Sequence, residues 1–148
     1  MSLKKKGIPM TSKITLAAAA LALVFGMNVQ AADNKAINDQ HKAAMDKCKE
    51  LKGNAKDICK AEADGQKKVA KAEAELKEKD TPKNRFNVAE AKAKAQYEVA
   101  KEKCEDQKGK DESNCKKAAK AERDGAIAQA KKAQASEPKP AKEEKKKG

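Results

Sequence analysis

The sequence predicts an all-α protein: two disulfide-stapled helical hairpins, about four helices extended or loosely bundled, followed by a disordered C-terminal tail. Three observations carry this expectation. The first is a duplicated cysteine pair. Cys48 and Cys59 have the same spacing as Cys104 and Cys115, and each cysteine of the second pair lies 56 positions after its counterpart. The second is composition. Beyond residue 31 the chain has one Phe (Phe86), one Tyr (Tyr97) and no Trp. Ala, Lys and Glu dominate instead, and they favour helix because they lose little side-chain freedom there. The third is periodicity, with apolar and small residues recurring at helical intervals of three and four. So few large apolar side chains fall near the disordered regime. Covalent staples are what tip the chain toward thinly packed helices.

Residues 1–31 read as a secretory signal. Lys4, Lys5, Lys6 and Lys13 form a positive start without acids, Ile14 to Val24 is Ala/Leu-rich, and Val29-Gln30-Ala31 has cleavage-site spacing. Cleavage is expected after Ala31, with Ala32 as the second choice. An uncleaved anchor is the competing reading, but Ile14–Val29 is shorter than the roughly 20 residues that span a bilayer. Removing the segment takes away four lysines and no acid, so the net charge falls from +12 to +8. The remaining Lys and Glu are interspersed, as on a solvated helix surface.

The first unit is placed at 32–80. Its first helix runs from about Asn34 to Lys52, with Ile37, His41, Ala44, Cys48 and Leu51 in one heptad stripe. Gly53 is a good helix stop because it tolerates a left-handed backbone. Asn54 is then read as the cap of a second helix, with Asp57 three residues on. That helix reaches about Lys79 along a stripe of Ile58, Ala61, Gly65, Val69, Ala72 and Leu76. Asp80-Thr81-Pro82 is the strongest punctuation, with Thr81 as cap and Pro82 in the first helical position. The second unit, 81–135, opens with a helix to about Lys108 that carries Phe86, Ala89, Ala93, Tyr97, Ala100 and Cys104. Gly109 repeats the stop, Asp111 is read as the next cap, and the last helix runs to about Ala135. Residues 136–148, with two prolines and a lysine run, read as the tail.

The copies are not exact. Lys60–Gly65 reappears as Lys120–Gly125, now offset by 60, so four residues entered after Cys115. Four residues are about one helical turn, which roughly keeps the face.

On one unbroken helix, residues 11 apart stand about 16 Å apart along the axis. A disulfide needs Cα atoms roughly 5.5 Å apart. An intrachain bond therefore requires reversal between the cysteines. Gly53-Asn54 lies midway, where a turn brings Cys48 and Cys59 to one height. Close helix approach there favours small neighbours such as Ala44, Ala55 and Ala63, and in the second unit Ala100, Ala118 and Ala119. The alternative is a continuous helix whose two cysteines share a face and cross-link two chains. A staple closing about 12 residues contributes roughly 3 kcal/mol in the chain-entropy model.

Little points to catalysis. The pairs lack Cys-x-x-Cys redox spacing, and no glycine-rich phosphate loop is present. His41 is the one histidine, and it sits in the heptad stripe rather than among close cysteine pairs of zinc type. No metal or cofactor is expected. Isolated Gly65 and Gly125 are read as a local bend or a close helix contact. The lysine-rich faces are compatible with acidic lipid, lipopolysaccharide or nucleic acid by simple electrostatics. Without aromatic stacking platforms, sequence-specific nucleic-acid binding is not expected.

The stretch from Lys47 to Ala63, KCKELKGNAKDICKAEA, resembles a family of small exported Ala/Lys/Glu-rich proteins of Gram-negative bacteria, often loosely labelled TolA-like. They carry paired Cys…Leu-x-Gly-Asn-Ala-Lys-Asp-x-Cys units. The likeness spans most of 35–130. The second unit departs from it, with Gln107 in place of the Leu and Lys110-Asp111 in place of Asn-Ala. The resemblance implies a periplasmic, cell-envelope location and no established activity. The expectation is a non-enzymatic structural or protein-interaction role, with an envelope protein or a second copy as partner. A cationic binder of envelope polyanions is the alternative, and a thiol-redox or stress sensor a more distant one.

Overall fold

The computed structural model describes residues 34–137. The expected signal segment with its expected cleavage positions Ala31 and Ala32, and the expected tail from residue 138 onward, lie outside the described residues. Four helices follow one another: α1 (Asn34–Cys48), α2 (Asn54–Glu78), α3 (Pro82–Cys104) and α4 (Lys110–Ser136). Both pairs of cysteines are bonded within the chain, Cys48–Cys59 with Cα atoms 5.5 Å apart and Cys104–Cys115 at 5.6 Å. The chain is therefore two stapled hairpins, as its sequence predicts.

Helix ends differ from the expected ones for local reasons. α1 stops at Cys48 rather than Lys52, because residues 49–51 wind into a tighter turn with i to i−3 hydrogen bonds such as Leu51 N to the Cys48 carbonyl. Leu51 thus leaves the heptad stripe and is 41% exposed. α3 likewise ends at Cys104, not Lys108. Gly53 and Gly109 take φ of 57° and 63°, the left-handed region where a side chain is strained. They directly precede α2 and α4 as N-cap residues, without a side-chain cap bond. Asn54 and Asp111 are inside the first turn and do not cap. Thr81 does cap, accepting a hydrogen bond from Asn84 N at 3.1 Å, with Pro82 opening α3. α4 includes Ser136, and Glu137 bonds Arg85 of α3 at 2.7 Å, so the expected tail loses its first two residues to the folded unit.

Among the described residues, helices approach only their neighbours in sequence: α1 on α2, α2 on α3, α3 on α4. This is a row rather than a closed bundle. α2 meets α1 through Cys59 and Ala63 and meets α3 on the opposite side through Gly65 and Ala72. The thin core is Ile37, Cys48, Ala63, Val69, Ala72, Val88, Ala93, Cys104 and Ala119. Ala63 and Ala119 are buried beside the staples as expected, whereas Ala55 and Ala118 are exposed.

Gly65 and Gly125 separate cleanly. A Cβ on Gly65 would lie 2.8 Å from the Ala95 Cβ, whereas a Cβ on Gly125 would meet nothing within 4 Å. Gly65 lets α2 and α3 touch. Its counterpart lies on the open outer side of α4. That side is also recomposed: Ile58, Val69, Ala72 and Leu76 become Asn114, Gln129, Lys132 and Ser136, all exposed. A polar outer face is what the last unit of a repeated array requires.

Candidate functional site

Antiparallel succession puts both staples and both glycine turns at one end of the row. Asn54 ties them together. Its side-chain amide donates to the Glu102 carbonyl at 2.7 Å, linking the start of α2 to the end of α3. Its Oδ1 is buried and has no hydrogen-bond partner among the described residues. Sequence reasoning gave Asn54 a capping role; the bridge arises because α3 descends beside it. The other end is held by Arg85, which bonds Asp80 in the turn and Glu137 after α4. Hydrogen bonding to Glu137 is the main reason the Arg85 guanidinium holds its proton more tightly than usual. Asn84 donates to the carbonyls of Glu75 and Lys79, closing the end of α2. Neither the Arg85 nor the Asn84 link is visible in the sequence, since each depends on a partner element's position.

Repeat-related positions hold different chemistry. In the first hairpin His41 Nε2 lies 2.6 Å from Asp64 Oδ1. In the second, Tyr97 takes the place of His41 and the guanidinium of Arg123 stands 4.3 Å over its ring. Arg123 in turn donates to Asp124, the counterpart of Asp64, at 2.6 Å. That bond, with Lys120 adding to it, holds the Asp124 carboxyl below the usual range. His41 is thus a half-buried hydrogen-bond partner of Asp64 inside a hairpin. Among the described residues no group of three or more His, Cys, Asp or Glu is placed to hold a metal ion.

The depressions between helices are shallow and open. One, of about 440 Å³, is lined by Tyr97, Ser113, Lys116, Lys117 and Lys120 between α3 and α4. A second lies between α2 and α3, lined by Asp57, Lys60, Asp64, Lys68, Glu98 and Glu102. Both open onto the same broad face of the row. Most of its acids are paired with a Lys or Arg: Asp57 with Lys60, Glu90 with Lys94, Glu98 with Lys101, and Asp124 with Lys120 and Arg123, while Asp64 is hydrogen-bonded to His41. Lys101, hydrogen-bonded by Glu98 and Glu102, binds its proton more tightly than an ordinary lysine.

The site residues therefore divide into two sets. The four cysteines with Gly53 and Gly109 build and reverse the hairpins. The charged side chains of the broad faces are what the fold presents outward. No helix of the described residues is long and apolar enough to cross a membrane. Compared with protein-family models, curated proteins and solved structures, the chain has no significant match.

Proposed function

We propose that this chain is an exported, non-enzymatic protein of the periplasm, carried there by a cleaved N-terminal signal, with a structural or protein-interaction role in the cell envelope. The observation that carries the reading is the pair of intrachain disulfides in a helical row with so small a core. Such bonds persist in oxidising compartments and substitute for burial in small domains. The Lys-start, apolar run and Val29-Gln30-Ala31 of the N-terminus point the same way, as does the resemblance to exported paired-cysteine proteins. Open depressions and paired charges suit a protein that works by surface contact. Within each staple one cysteine, Cys48 or Cys104, is 1% exposed and its partner is half-buried, an environment less open than that of a redox-sensing thiol.

Expression of the full chain in a Gram-negative host tests this. The expected result is protein in the periplasmic fraction, beginning at Ala32 or Asp33. Non-reducing peptide maps should link Cys48 to Cys59 and Cys104 to Cys115. An intact N-terminus on reduced protein in the cytoplasm would overturn the proposal.

A further inference from the structure

The two broad faces of the helical row differ in uncompensated charge. The face carrying both depressions presents Lys42, Lys68, Lys71, Lys83, Lys117 and Lys131. Their positions follow from about 100° per residue, anchored by the Gly65–Ala95 contact and the depression linings. None of the six has a carboxylate within salt-bridge distance among the described residues, and most neighbouring acids are already paired with another lysine or arginine. Among the described residues Asp64, Glu75 and Glu78 are its acids without a Lys or Arg partner, so the face keeps a net excess of lysines. On the opposite face Lys47, Lys77, Lys103 and Lys132 are largely offset by Glu62, Asp111 and Glu122, so that side carries less uncompensated charge.

We infer that the lysine face docks on an anionic phospholipid surface. This deepens the surface-contact reading above and rests on it. The shape of the surface selects the partner. Four helices spaced by about 8–10 Å make a row roughly 30 Å wide, and 25 residues give a length of about 37 Å. The lysines run from α1 to α4 across that width, matching a broad, shallow, negatively charged surface. A nucleic-acid groove is a poorer match: no helix stands out from the row to enter a major groove about 12 Å wide. Tyr97, the aromatic nearest this face, is covered by Arg123 and unavailable for base stacking. Among the described residues no large apolar side chain is exposed on the face, Leu51 being in the α1–α2 turn. Attachment is therefore electrostatic and superficial, each lysine near the surface contributing about a fivefold gain in affinity, and it weakens as salt shortens the screening length.

Co-sedimentation of the processed, oxidised protein tests the assignment, using mixed phosphatidylcholine–phosphatidylglycerol vesicles against phosphatidylcholine alone. Binding is expected to the mixed vesicles only and to fall with salt. The triple variant Lys68→Gln, Lys71→Gln, Lys117→Gln should bind about a hundredfold more weakly. The charge-matched variant Lys47→Gln, Lys77→Gln, Lys103→Gln should lose far less. Circular dichroism and non-reducing mobility confirm that both variants keep their helices and staples. If the first triple fails that check, Lys83→Gln with Lys131→Gln gives the second measurement on the same face. Equal losses from the two faces, no binding to mixed vesicles at low salt, or tighter binding to duplex DNA at equal phosphate would each overturn the proposal. Any of these leaves the export and disulfide results untouched, so the two readings fail separately.

Discussion

Adding one methyl group at two repeat-related glycines should have opposite effects. Gly125→Ala replaces a glycine in the interior of α4 where nothing lies within 4 Å of the new Cβ. It should stabilise by about 1 kcal/mol, the helix-propensity difference. Gly65→Ala gains the same backbone preference but drives its Cβ to 2.8 Å from the Ala95 Cβ and 3.3 Å from the Ala95 Cα. The obstacle is a methyl on a helix backbone, with no rotamer to give way. Relief requires α2 and α3 to separate by about 1 Å, a gap that forfeits a quarter to a half of each affected contact. Overpacking of this kind costs about 1–3 kcal/mol. Gly65→Ala should therefore be destabilising by about 1 kcal/mol, and the two variants should lie about 2 kcal/mol apart. Thermal unfolding followed by circular dichroism under oxidising conditions reads this as a gap of about 10 °C. Equal stabilisation by both substitutions would refute the close α2–α3 approach, and with it the different roles assigned to the two glycines.

Two further outcomes follow from the geometry. Replacing Cys48 and Cys59 together by Ser, or Cys104 and Cys115 together, should each lower stability by about 3 kcal/mol, since each bond closes a loop of sequence separation 11; unchanged unfolding midpoints would show that the hairpins do not depend on their staples. Asp124 should titrate below the usual carboxylate range of about 3.9 in an NMR pH series, because Arg123 first and Lys120 second favour its charged form. Its depressed folded pKa means that its stabilising contribution is present above the ordinary carboxylate value and lost as pH falls through the folded one. Lys120→Gln should move the midpoint upward, and a midpoint unmoved by that change would rule out the Lys120 contribution.

Much of the fold was legible in the chain. Gly53 and Gly109, each midway between two cysteines, force the reversals that let those cysteines bond, because helical rise alone keeps residues 11 apart too distant. Thr81-Pro82 marks a helix start through local chemistry that needs no tertiary partner. The stripes of α2 and α3 were also readable, though each as a single face. In the row, both middle helices use two opposite sides, so Val88 is buried against α2 while Ala93 and Tyr97 turn toward α4. Periodicity within one helix reports that small residues recur, not how many neighbours they meet. Leu51 shows the converse error: its spacing continued the α1 stripe, but the helix had already tightened and ended.

The sequence by itself determined the helical class and favoured the two reversals with intrachain staples over interchain cross-links, because these depend on short-range geometry and spacing; the structure decided the pairing. Only the tertiary structure decided that the hairpins lie in an open row, that Gly65 touches Ala95 while Gly125 faces outward, and that Asn54 bridges to α3 instead of capping α2. It also decided which lysines share a face without a neutralising acid. These depend on which helix stands beside which, and that arrangement arises from long-range packing that no single helix encodes.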